Sequence, residues 1–193
     1  MRLGFLTIAD LRFGIDEATL DAFVGHPTPA FPSSSPTILK WGWELRGSRL
    51  MDPHCEWIPH LSSEIMFATG ARLQSWQDLA PHTVEWEGTG NADNDLHASL
   101  YVFEHAAVTE GRVEFTREGD AIRMVLSGVT SVGWGEAYGS GLQLEVDVRF
   151  DAVTILAGRS SEADARTQVT PLLCDDELIY ATDEYGVATL RSR

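Results

Sequence analysis

The chain reads as a mainly β protein: an antiparallel β-sandwich or partly open barrel with one or two short helices. Three observations predict this. Residues 142–151, Leu-Gln-Leu-Glu-Val-Asp-Val-Arg-Phe-Asp, alternate five apolar with five polar residues. Successive side chains of a strand point to opposite faces, so this period of two makes one dry face and one wet face. Residues 38–45 repeat the pattern, with Leu39, Trp41, Trp43 and Leu45 on one phase and Lys40, Gly42 and Glu44 on the other. From Leu96 onward strand patterns follow one another at short spacing, separated by glycine-bearing turns, as in an all-β domain rather than an alternation of helices and strands.

Taken in order, the elements begin with a short buried strand over residues 3–8. Asp16 then has the character of an N-cap, and Leu20, Phe23 and Val24 at helical spacing predict a helix that stops at Gly25. Residues 26–36 hold four prolines and three serines; each proline removes a backbone donor and fixes φ, so this is an extended loop pinned over the body. After the strand at 38–45, Gly47-Ser48 suits a type II′ turn that sets Leu45 opposite Leu50. Ser75-Trp-Gln-Asp78 has the form of a short helical turn. Thr83–Glu87 is a strand closed by Gly88. Residues 96–105 form another, with Leu96, Ala98, Leu100 and Val102 on one face.

The next two strands join in a hairpin around Glu118-Gly119. A two-residue loop there opposes Phe115 to Ile122 and Val113 to Met124, apolar to apolar, whereas a three-residue loop opposes apolar to charged. A glycine-rich connection over 128–141 leads into the strand at 142. Alternation fails past Phe150, where Val153 and Ile155 fall on the polar phase; either a β-bulge shifts the phase or the strand end is buried on both faces. Residues 158–193 form an acidic C-terminal appendage packed on the same body, with short strands at 178–182 and 187–190. The whole chain, 1–193, is expected to form a single β-rich domain.

Charge narrows the partners. Twenty-nine acids against 14 Lys and Arg give a net charge of −15. Nucleic-acid binding needs cations to replace phosphate counterions, and anionic membrane surfaces need them too, so both are disfavoured. No stretch approaches the ~20 apolar residues of a membrane span, and residues 1–10 do not form a signal peptide. Cys55 and Cys174, without a framework spacing, read as reduced thiols in a cytoplasm.

The motifs that carry chemistry are sparse. His97, Tyr101 and His105 share the polar face of strand 96–105, and side chains of this kind line pockets inside curved sheets, with imidazole as base and phenol as donor. Trp134 and Tyr138 on the glycine-rich loop are candidate binding anchors. His54-Cys55-Glu56 with His60 lacks the tight pairs of a zinc site, and Asp93-Asn94-Asp95 lacks the glycine of a calcium loop, so no metal and no cofactor are expected. The glycines at 133–141 lead into a strand, not the helix a phosphate loop requires. No catalytic residue is assigned.

Acidity is concentrated. Between Arg72 and Arg112 there are seven acids and no lysine or arginine, and residues 160–186 hold seven more against Arg166 alone. Clusters of one sign steer association with partners of the other; the plainer alternative is solvated surface. The leading expectation is a non-catalytic cytoplasmic binding protein that engages a basic protein partner, in the manner of an immunity-type inhibitor. Its contact residues would be Glu85, Glu87, Glu145, Asp147, Asp175, Asp176 and Glu177. The alternative is a small-molecule-binding barrel or enzyme with a pocket at the polar face of 96–105. A structural subunit of a homo-oligomer is the third.

Overall fold

The computed structural model describes residues 3–9, 11–25, 38–48, 58–66, 72–88, 98–102, 105–130, 141–156, 160–174 and 176–192. The expectations for 26–36, His54–Glu56, Asp93–Asp95 and most of the glycine-rich connection fall outside these residues. The fold class is as predicted: mostly antiparallel sheet, with a partly closed ring of strands and, among the described residues, one α-helix and the expected short helical turn at Trp76–Leu79. No described helix is long and apolar enough to cross a membrane. The chain divides into two compact units.

The first unit comprises Met1–Thr19, Trp43–Glu64 and Leu79–Arg149. Its strands are β1 (Gly4–Ile8), β2 (Leu11–Gly25), β3 (Ile38–Gly47), β4 (His60–Met66), β5 (Thr83–Glu87), β6 (Ala98–Tyr101), β7 (His105–Glu118), β8 (Ala121–Thr130) and β9 (Gly141–Ile155), of which β2, β3, β4 and β9 run on into the second unit. They follow the order β1-β2-β3-β4-β6-β7-β8-β9, and β9 pairs back to β1. One row of register shows how the core is made: Phe13, Leu6, Leu144, Leu126 and Val113 oppose one another in turn across β2, β1, β9, β8 and β7. All five are at most 2% exposed. Each such buried side chain contributes about 1.5–3 kcal/mol of transfer free energy. Trp43 meets Phe115 edge-on at 6.4 Å.

The second unit comprises Leu20–Gly42, Ile65–Asp78 and Phe150–Arg193. Here Phe150 stacks on Trp76 (centroids 5.5 Å apart, planes 14° apart) and meets Trp41 at 5.8 Å. Helix α1 (Glu162–Val169) precedes β10 (Ile179–Thr182) and β11 (Ala188–Arg191). β11 pairs antiparallel with β9, so the C-terminal segment belongs to the sheet. Ala152 and Val153 are consecutive in β9 and 4% and 0% exposed. Consecutive strand residues point oppositely, so the strand end is buried on both faces, the second of the two expected causes of the phase break.

Four expectations are corrected. β2 replaces the helix expected from Asp16. Ala18, Leu20, Ala22 and Val24 are buried and the residues between them are half-exposed, so period two governs; the helical spacing of Leu20, Phe23 and Val24 ignored the alanines. Gly47 is a strand residue rather than a turn: its N–H donates to the Pro59 carbonyl at 2.7 Å, and Ser48 N–H to Gly14 at 2.7 Å. The 96–105 strand is two strands, because the chain reverses between Tyr101 and His105, which oppose each other. The 115–122 hairpin turns at Gly119-Asp120, opposing Phe115 to Met124 and Val113 to Leu126. Gly119 supplies the positive φ of 64° that the turn needs. The shift is two residues, which preserves every face.

Two elements were not foreseen. Strand β4 lies in a stretch without clean alternation. Helix α1 starts at Ser161, whose hydroxyl accepts from Asp164 N–H at 3.2 Å. That Ser-x-x-Asp spacing was a readable capping signal.

Candidate interaction surface

Strand β5 pairs antiparallel with β7 over Thr83–Glu87, and within that ladder one contact joins very unlike residues. Trp86 opposes Gly111, and its indole lies where a side chain at 111 would be: a Cβ there would stand 1.9 Å from Trp86 Cζ2. The indole N–H donates to the Val108 carbonyl at 2.9 Å. Trp86 is thereby 8% exposed, and alternation presents Thr83, Glu85 and Glu87 outward, all exposed.

Register decides what these acids meet. Thr83 opposes Glu114, Glu85 opposes Arg112, and Glu87 opposes Glu110. A shift of register between Val108 and Glu110 in the β7–β8 ladder changes the phase of β7. That is why Val108 is buried and Glu110, two residues on, is exposed. The Arg112 guanidinium donates to Glu114 Oε1 (2.7 Å from Nε) and to Glu85 Oε1. The Glu114 hydrogen bond foremost, with further help from Glu85, holds Arg112 above its ordinary pKa. Glu87 and Glu110 have no ion-pair partner among the described residues. They face each other beside an open cleft of about 840 Å³ bordered by Glu85, Trp86, Glu110, Arg112 and Ser127.

The outer face continues across β8 and β9. Arg123 Nε donates to Asp147 Oδ1 at 2.6 Å and Nη1 to Glu145 Oε1 at 2.6 Å, with Glu118 Oε2 at 3.4 Å from Nη2. The Asp147 bond is the main reason that Arg123 is held above its ordinary pKa. Beyond lies a smaller cleft of about 470 Å³ beside Phe5, Arg12, Val125 and Gln143. There the Arg12 guanidinium sits 3.6 Å over the Phe5 ring.

The surface acids chosen from the sequence are therefore not equivalent. Glu85, Glu145 and Asp147 are matched by Arg112 and Arg123, whereas Glu87 is not. Glu110, which lies in the same acidic interval of the sequence, is its cross-strand neighbour and likewise has no ion-pair partner among the described residues. Asp176 and Glu177 are exposed in the second unit, where Asp176 Oδ2 accepts from the Cys174 thiol at 3.4 Å. Asp175, His97, Trp134 and Tyr138 lie outside the described residues. Tyr101 and His105 are brought together, with rings 4.8 Å apart. Tyr101 is 40% exposed and His105 is exposed as well. His60 opposes Tyr101 and pairs with Glu44 at 2.8 Å. Within this row Tyr101 and His105 are exposed and His60 is half-buried. No group of three or more His, Cys, Asp or Glu among the described residues has the placement to hold a metal ion.

Protein-family models, curated proteins and solved structures contain no match to this chain.

Proposed function

We propose that this is a non-catalytic cytoplasmic binding protein that holds a basic protein partner against the outer face of β5 and β7, as an immunity-type inhibitor would. The observation that carries the reading is the Glu87–Glu110 pair. Like charges directly opposite in an antiparallel ladder are destabilising. These two sit at a non-hydrogen-bonded position, where the strands' Cα atoms are only about 4.5 Å apart. Every other acid on this face named above as a contact has an arginine. A lysine or arginine from a partner, seated in the adjoining cleft, would relieve the repulsion and complete the pattern.

Stability and binding should respond in opposite directions to loss of this pair. Replacing both residues (Glu87→Gln with Glu110→Gln) should leave the fold as stable or raise stability by up to about 1 kcal/mol. The same change should weaken binding of poly-lysine, measured by titration calorimetry at low salt, by about tenfold, and binding of the unaltered protein should fall steeply with added salt. A control variant, Asp151→Asn with Glu184→Gln, removes the same charge from other exposed positions. Equal weakening in the control and the test variant would refute a specific site on β5 and β7.

A further inference from the structure

We infer that the basic partner is recognised as an added β-strand along the free edge of β5; this rests on the acidic-face reading above and specifies its chemistry. Among the described strands, β5 pairs with β7 alone. Phe115 N–H donates to the His82 carbonyl at 3.0 Å, so residues 82 and 115 form a hydrogen-bonded pair. Antiparallel alternation then places Val84–Val113 and Trp86–Gly111 in the bonded set, and Thr83–Glu114, Glu85–Arg112 and Glu87–Glu110 in the non-bonded set. The backbone N–H and C=O of Thr83, Glu85 and Glu87 consequently point away from β7, toward the open edge.

The same three residues present the exposed side chains. An antiparallel strand added at this edge would exchange hydrogen bonds with Thr83, Glu85 and Glu87, and the residues directly opposite them would share their face. The residues facing Glu85 and Glu87 would be two apart in the partner. The segment that fits has lysine or arginine at alternate positions, with small uncharged residues between. A second copy of this chain does not fit: it has one lysine and a net charge of −15, and its own β5 would set glutamate against glutamate. Charged edge strands also deter indiscriminate pairing, and the sign of the charge selects which strand is admitted.

The test uses three eight-residue peptides of one composition with the full-length protein. The first alternates lysine with threonine. The second is the same peptide with each lysine N-methylated on its backbone nitrogen, which removes the edge donors and keeps the charge. The third carries four lysines followed by four threonines. The alternating peptide should bind about tenfold or more tightly than either of the others. It should also slow amide exchange at Glu85 and Glu87, read by NMR. Equal affinity for all three overturns strand addition and leaves the acidic face standing. Strand addition also falls if none of the peptides binds while poly-lysine still binds in a Glu87- and Glu110-dependent way. Loss of that dependence as well removes the acidic-face reading with it.

Discussion

Gly111→Ala offers a sharp test of how the acidic strand is held. The new methyl would lie 1.9 Å from Trp86 Cζ2 and 2.1 Å from Cε2. Carbon atoms settle no closer than about 3.5 Å, so the indole must retreat by about 1.5 Å. The indole bond to Val108, 2.9 Å long in the native structure, does not survive that movement. Overpacking costs roughly 1–3 kcal/mol and the lost bond about 1 kcal/mol, so the variant should be less stable by roughly 2–4 kcal/mol. For a chain of this size that lowers Tm by roughly 5–15 °C. Urea unfolding followed by tryptophan fluorescence, with calorimetry alongside, measures both. The cost should also depend on Trp86: in a Trp86→Leu background, where no ring fills the space, Gly111→Ala should cost under about 1 kcal/mol. A loss below about 0.5 kcal/mol in the native background, or strict additivity in the double variant, would refute the account of β5 docking.

Two further outcomes follow from the faces of the sheet. Arg123→Ala strands the carboxylates of Asp147, Glu145 and Glu118 around one lost guanidinium. It should cost roughly 1–2 kcal/mol at low salt, and less in high salt because the pairs are partly exposed and screened; salt-dependent denaturation curves check this. Val125 and Leu126 are adjacent in β8 but 40% and 1% exposed. Leu126→Ala should therefore cost about 2–5 kcal/mol and Val125→Ala within about 0.5 kcal/mol, compared by chemical denaturation.

Much of the fold was legible because a half-buried strand writes its period into the chain. Leu142, Leu144, Val146, Val148 and Phe150 are all buried as the alternation requires, and Leu39, Trp41, Trp43 and Leu45 likewise. Where small residues carry the buried phase, as Ala18 and Ala22 do in β2, the same signal is weak and a competing helical spacing looks stronger. The hairpin at Gly119 was legible in parity but not in register, since a slip of two leaves every face unchanged.

The candidate surface was legible only in part. That Glu85, Glu87, Glu145 and Asp147 face outward follows from alternation within one strand, a local property. Their balance of charge does not. Arg112 stands 27 residues beyond Glu85 in the chain, and Arg123 stands 24 before Asp147; each meets its acid only because strands distant in sequence lie side by side. Seven acids without a base looked like one uniform negative tract, and β5–β7 pairing brought in the arginine at its very end.

By itself the sequence determined the class of fold, the core face of its clearest strands and an excess of negative charge. These depend on near neighbours and on totals. Only the tertiary structure decided which carboxylates are neutralised, that Glu87 and Glu110 are set against each other, and that among the described strands β5 pairs with β7 alone. Those depend on strand order, on the register shift between Val108 and Glu110 and on one glycine that admits Trp86, none of which any local pattern encodes.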